Sequence, residues 1–280
     1  MFLAESAAPT AMHMALATQR QGCPEASSDS AYSIAFNTSQ PFGSACSEQP
    51  RLQRQYAAYT QYAGVSNHGF IELLDRLNWP RLGSACVVDA NAQSTELATA
   101  LAKMHPSLRF VVQMDVPASN TDPVVSAERL DDIGGRLKVQ SRAPGAVQPV
   151  KGAAVYILRL AQSSSLREQV IIELNAHLHV LRANASSTLI LGLPFLPEPG
   201  SVNADVEATA RLWDLSRVQL TNECNMEMPD LVDLINSVQD SKGRLVVVNK
   251  LCSLRSSAMA VGVKYEACVD GFYSVESFLM

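Results

Sequence analysis

Four groups of residues carry side chains able to do chemistry. The first is Asp89, near the end of the apolar run ACVVDA (residues 85–90) and followed by Asn91, Ala92, Gln93, Ser94 and Thr95. A carboxylate at the end of a buried strand either holds a ligand or faces solvent. The second is Asp115, next to Met114 at the end of LRFVVQM (108–114). The third is Ser163-Ser164-Ser165, just beyond AAVYILRL (153–160). Serine has no useful pKa near neutrality and needs a neighbouring base before it can act. The fourth is His177 and His179 within a helical stretch. Side chains two apart on a helix do not share a face, so this pair cannot hold one metal ion. His68 and His105 stand alone, and His105 sits at a helix end, where a cation suits the dipole. The cysteines Cys23, Cys46, Cys86, Cys224, Cys252 and Cys268 show no pair at zinc-ligand spacing, so no metal site is expected and the thiols read as reduced. Met226-Glu227-Met228 suits either a partner surface or core filling, because Met adapts to varied neighbours.

Composition narrows the function classes. The 280 residues carry a formal charge of −5, from 22 Lys+Arg against 27 Asp+Glu. The basic residues do not cluster, and neither a helix-turn-helix pattern nor zinc-cluster cysteines occur, which argues against direct binding to nucleic acid. With 47% hydrophobic and 18% charged residues the chain is globular rather than disordered. No run is long and apolar enough to span a membrane. Residues 1–17 lack the basic start of a signal peptide, and Glu5 and His13 interrupt their apolar stretch, so secretion is not expected. The sequons at Asn37 and Asn184 then carry no weight.

The elements that must position these residues change character near residue 80. Before it the pattern is helical: a helix opened by Pro9 and running to Arg20, then helices at 31–38, 51–62 and 70–77. After Trp79-Pro80, short apolar runs alternate with helices. Strands are predicted at 85–90, 108–114, 136–140, 153–160 and 188–193, with helices at 95–104, 166–182, 205–222 and 229–237. Two closing strands, 244–249 and 258–265, are expected to form a hairpin. Nearly all-apolar strands alternating with helices imply an α/β fold, a largely parallel sheet covered on both faces. With a closing antiparallel hairpin this is the layout of a class I methyltransferase-like, Rossmann-type domain of seven strands, in which ligands sit at the carboxyl ends of the strands. The expected division is a helical segment over 1–80, this domain over 81–267, and an unassigned tail over 268–280.

Several stretches resemble the fungal and plant small-molecule O-methyltransferases: VVDANAQST (87–95), HPSLRFVVQMD (105–115), QPVKGAAVYILR (148–159) and LPEPGS (196–201). The resemblance runs through residues 51–265. Longer stretches are similar to the regulatory co-activators of the aflatoxin and sterigmatocystin gene clusters, themselves O-methyltransferase-like: MFLAESAAPTAMHMALATQR (1–20), SAYSIAFNT (30–38), PRLQRQ (50–55), LRANASSTLIL (181–191), MEMPDLVDLINSVQDSKGRLVVVNKL (226–251) and VKYEA (263–267). That resemblance implies assistance to a binuclear zinc-cluster transcription factor instead of methylation of a substrate. It implies a nuclear protein with a cytoplasmic pool that touches no membrane. It also implies that residues 1–80 hold only the last helices of a winged-helix-like dimerisation domain, which leaves dimerisation open.

The enzymes of the family set the terms of a residue-by-residue comparison. They place an acid and then glycines after the first strand, so that the backbone can approach S-adenosylmethionine. Here Asp89 is present, but no glycine stands between Ala90 and Thr95. Positive φ costs an ordinary residue about 1–2 kcal/mol, and Asn91 alone tolerates it. Gln93 and Thr95 are expected to point toward the cofactor volume. The acid that holds the ribose should end the second strand, where Met114 stands. Asp115 is one residue late, a shift that reverses a side chain's direction on a strand. The adenine-side acid after the third strand is replaced by Gln140-Ser141-Arg142-Ala143. The histidine base after the fourth strand corresponds to Ser163, and losing a positioned base costs about 10²–10⁴ in rate. The protein expected is a catalytically inactive, cofactor-free O-methyltransferase-like co-activator of a fungal polyketide mycotoxin cluster. Asp89, Asn91, Gln93, Met114 and Asp115 would then line a vestigial pocket. The alternative is a divergent O-methyltransferase of secondary metabolism that does bind S-adenosylmethionine.

Overall fold

The computed structural model of the protein describes residues 1–21, 30–63, 67–115, 135–160, 166–192, 195–253 and 258–268. The chain forms two compact units. One, Asn67–Pro194 with Pro229–Ser253 and Ala258–Met280, holds the main sheet. The other joins Met1–Ser66 to Phe195–Met228 and Leu254–Ser257.

In the sheet unit, β1 (Cys86–Ala90), β2 (Arg109–Met114), β3 (Leu137–Ser141), β4 (Val155–Arg159) and β5 (Thr188–Gly192) pair in parallel. The order is β3-β2-β1-β4-β5, so the chain reverses direction across the sheet between β1 and β4. The antiparallel hairpin of β9 (Gly243–Cys252) and β10 (Met259–Ala267) docks through β10 onto β5. Among the described residues the sheet has eight strands where seven are expected. The extra one, β8 (Gln239–Asp240), is a two-residue strand folded back onto β9. Asp240 makes the turn by accepting hydrogen bonds from the Lys242 and Gly243 N–H groups and from the Tyr265 hydroxyl. Two residues are too short to show a period in the sequence.

Alternation along the strands sends side chains to two faces. On one, Val87, Phe110, Val112, Ile157 and Ile190 bury against Phe70 and Leu74 of α6 (Asn67–Asp75) and Leu97 and Leu101 of α7 (Glu96–Met104). Tyr156, between Val155 and Ile157, points the other way. Its ring meets His177 of α8 (Leu166–Ala183), at 5.8 Å between centroids. Fully burying a leucine or phenylalanine contributes about 1.5–3 kcal/mol, so the apolar layer on the first face does much to hold the sheet.

In the second unit, helices α1 (Ala8–Met12), α3 (Ala31–Ala35), α4 (Phe42–Glu48) and α5 (Pro50–Ala63) pack against α9 (Ala204–Thr221), and α2 (Met14–Gln21) packs against α1 and α3. Phe2, Tyr32, Phe42, Leu52 and Leu220 form its core. Tyr59 stacks edge-on against Trp213 and its hydroxyl meets Ser216. A short parallel pair, β6 (Phe195–Leu196) with β7 (Met226–Glu227), completes it. The domain limits therefore differ from the expected 1–80 and 81–267. Phe70, Leu73, Leu74 and Trp79 belong to the sheet's core, while α9 belongs to the aromatic core of the other unit. The tail beyond Cys268 lies outside the described residues.

Candidate functional site

The carboxyl ends of β1, β2 and β3 carry the residues that the sequence singles out, and they divide between the two faces of the sheet. β1 ends at Ala90, and Asn91 then turns the chain with φ 55°, the left-handed conformation that asparagine accepts more easily than most residues. Its side chain becomes the centre of a buried polar cluster. The Asn91 amide donates to Glu173 Oε1 at 2.6 Å, and its carbonyl oxygen accepts from Arg142 Nη1 at 2.7 Å. Arg142, the first residue past β3, donates Nη2 to Glu173 Oε2 at 2.9 Å and to the Ala146 carbonyl. The Gly145 N–H also donates to Glu173 Oε1, at 2.6 Å. The Arg142 and Glu173 side chains are only 2% and 3% exposed. Burial alone would raise the Glu173 carboxyl. Hydrogen bonds from Asn91, Arg142 and Gly145, with the guanidinium charge, outweigh it and hold the carboxyl below its usual range.

The cluster continues down α8. His177 lies one turn beyond Glu173 and is fully buried. Its Nδ1 meets the Glu173 carbonyl at 2.7 Å, and its Nε2 meets the Gln148 amide nitrogen at 3.0 Å. A carbonyl partner at Nδ1 and an amide donor at Nε2 define a neutral imidazole protonated on Nδ1. Burial accordingly lowers the His177 pKa to about 4. Gln148 and Gln113 of β2 exchange two amide hydrogen bonds at 2.7 and 2.9 Å. His179 is half-buried, and its charge only adds to the lowering of the His177 pKa.

Asp89 points to the opposite face and neither meets solvent nor finds a hydrogen bond. It is 1% exposed, and both carboxylate oxygens lack a hydrogen-bond partner. Arg159 of β4 approaches to 3.7 Å, its guanidinium 5.9 Å from the centre of the Phe70 ring. Burial pushes the Asp89 carboxyl up to about 6, against the lowering effect of Arg159. The solvent-facing alternative for Asp89 is thereby corrected.

The other expected residues do not join either group. Met114 is half-buried against the α7 face, and Asp115 is exposed just past β2. Gln93 is exposed and Thr95 half-buried at the start of α7. Ser163 lies outside the described residues. His105 caps α7 and lies 3.3 Å from Asp75. Among the described residues, no group of three or more His, Cys, Asp or Glu gathers at metal-binding distance. Sequence reasoning missed Glu173, Gln148 and Gln113. One cue existed: Glu173 falls on the α8 stripe of Leu166, Val170, Leu174, His177 and Val180, all buried, and a carboxylate in such a stripe requires partners.

No protein-family model matches the chain. It is 53% identical over 271 residues to a transcriptional coactivator of Pseudocercospora fijiensis, an alignment covering 95% of this chain and 74% of that protein. It is 41% identical to the geodin cluster transcriptional coactivator of Aspergillus terreus, covering 95% and 72%. The dothistromin biosynthesis regulatory protein of Dothistroma septosporum is 39% identical, covering 95% and 64%. Among solved structures, the calicheamicin-biosynthesis methyltransferase CalO1 superposes with a TM-score of 0.63 at 17% identity, covering 94% of this chain and 69% of that one. The mitomycin 7-O-methyltransferase MmcR gives 0.59 at 16%, covering 94% and 70%. At such identities these two structures speak for the fold, which is that of the class I methyltransferases.

Proposed function

Because the chain belongs to the family of transcriptional coactivators of fungal secondary-metabolite clusters, we propose that it raises transcription of one such cluster through protein contact, without transferring a methyl group. The observation that carries this reading is the similarity to transcriptional coactivators, one of them named for the geodin cluster, along nearly the whole chain. The partner is a binuclear zinc-cluster transcription factor of the same cluster. The charge of −5 and the scattered basic residues favour reaching DNA through such a partner over gripping it directly. The product of the cluster is a polyketide of the aflatoxin or sterigmatocystin type, as the resemblance of the sequence implies. The protein works in the nucleus and keeps a cytoplasmic pool. Among the described residues no helix is long and apolar enough to cross a membrane.

Asn91 supports the non-methylating part of the reading. It stands where a cofactor loop has glycine, and both ends of its amide are already bound. The test is genetic and biochemical together. Deleting the gene in the producing fungus should lower the transcripts of the cluster, and restoring it should recover them. The tagged full chain should co-precipitate the zinc-cluster activator. Transcripts that do not change on deletion would overturn the coactivator role. Repeated failure of co-precipitation, with transcripts still dependent on the gene, would overturn the choice of partner.

A further inference from the structure

The fold raises the question of S-adenosylmethionine, and the residues present fit it poorly. A sheet of this kind receives a nucleoside cofactor across the carboxyl ends of its first strands, using a turn without side chains, free backbone N–H groups and an acid at the end of the second strand. All three are otherwise committed here. The turn carries Asn91, whose amide is bound at both ends. The next N–H, of Ala92, donates to the Gln113 carbonyl of β2 at 2.8 Å. Met114 packs into the core, and Asp115 is exposed beyond the strand.

We infer that this crevice is closed by the chain's own side chains, Asn91, Arg142 and Glu173 forming a buried clasp over the strand ends where a nucleoside would lie. The topology gives the clasp its position. Asn91 follows β1 and Arg142 follows β3, and these strands are not neighbours, since β2 lies between them. Strands two apart are about 10 Å from each other, so the Arg142–Asn91 hydrogen bond spans the end of β2. The chemistry makes the clasp hard to displace. Glu173 accepts three hydrogen bonds, from Asn91, Gly145 and Arg142, and its side chain and that of Arg142 are almost wholly out of water. Adenine and ribose are neutral, and neither replaces a carboxylate for Arg142 or a guanidinium for Glu173. Opening the clasp would therefore leave two buried ions without partners, which is among the costliest changes a protein interior undergoes. The inference deepens the reading of the chain as a non-methylating coactivator and rests on it.

Two measurements on the full chain decide it. Calorimetry with S-adenosylhomocysteine should give no saturable heat at millimolar ligand. Hydrogen exchange should find the Gly145 amide, which sits inside the clasp, as protected as the Phe110 amide of the sheet. Glu173→Gln keeps the shape and removes the charge, and should speed exchange at Gly145 by about tenfold or more while Phe110 stays slow. If that variant does not fold, the wild-type measurements decide alone. Micromolar binding of S-adenosylhomocysteine, or a Gly145 amide that exchanges like an exposed loop, would overturn the clasp. Failure here separates from failure of the coactivator role. Ligand binding by a chain that still supports cluster transcripts sinks the clasp only, while a ligand-free chain that supports none sinks the coactivator only.

Discussion

Replacing Asp89 with asparagine should make the protein more stable, by an amount that depends on pH. Asp89 is buried with no hydrogen bond to either oxygen, and its carboxyl is raised from 3.8 to about 6. A carboxyl whose folded pKa lies above its unfolded one costs nothing when both states are protonated. As pH rises through 3.8 the unfolded chain ionises first, and stability falls until the native group also ionises near 6. Above that pH the full cost remains, about 3 kcal/mol with the attraction of Arg159 already counted. The asparagine side chain of the variant has the same shape and does not titrate. The gain of Asp89→Asn should therefore be about 1 kcal/mol near pH 4.5 and about 3 kcal/mol near pH 7.5. Urea denaturation of both proteins at the two pH values measures it, with an unchanged slope showing that the unfolded state is comparable. An equal gap at both pH values, or a variant less stable at the higher one, would mean that the Asp89 carboxylate is satisfied, and the reasoning fails.

The clasp predicts the opposite sign. Glu173→Ala should cost about 3–5 kcal/mol, because it leaves Arg142 buried and unpaired, whereas the double change Arg142→Met with Glu173→Leu should recover most of that loss in urea midpoint. His177 adds an acid limb. Its pKa is lowered from 6.5 to about 4 by burial, so the unfolded chain takes up a proton first and stability should drop as pH falls from about 6.5 toward 4. Across about pH 4–6 this runs against Asp89, so the limb should be steeper in Asp89→Asn than in the wild type, as urea midpoints against pH would show. Gly145→Ala should cost about 1–3 kcal/mol, since φ is +74° there and the new methyl would stand 2.6 Å from Ile172 Cγ2. Ile172 is 52% exposed, so adding Ile172→Ala should return the overpacking part but not the backbone part in the same measurement.

The sheet was legible because its central strands are buried on both faces. β1, β4 and β5 read as short, mostly apolar runs, each with at most one charged residue, and their observed limits fall within a residue or two of expectation. Helix α4 was not legible. Its sequence FGSACSE is poor in helix formers, and it forms where Phe42 enters the aromatic core of Phe2, Tyr32 and Tyr56. The division of the chain was missed for a related reason. The α9 pattern does not tell which core receives Leu220 and Trp213. At the candidate site, the tolerance of asparagine for positive φ was legible, and Asn91 does take φ 55°. Its partners were hidden by distance, with Arg142 lying 51 residues away and Glu173 82.

The polar residues of the crevice sort by how well the fold satisfies them, and that ordering bears on function. Glu173 has three donors, one of them the Arg142 guanidinium, so its charge is maintained from two segments outside its own helix: the β1 turn and the β3 exit. Asp89 has a guanidinium at 3.7 Å and no hydrogen bond, so its charge is tolerated rather than maintained. A group that is maintained cannot be removed singly without stranding its partner, whereas a tolerated one can be removed with a gain. A protein that works by contact needs its surface held in one shape, and a loss of a few kcal/mol lowers the folded population that a partner meets. Glu173 should therefore be a residue whose loss disables coactivation. Asp89, at the position where an enzyme of this fold begins its cofactor loop, should be dispensable.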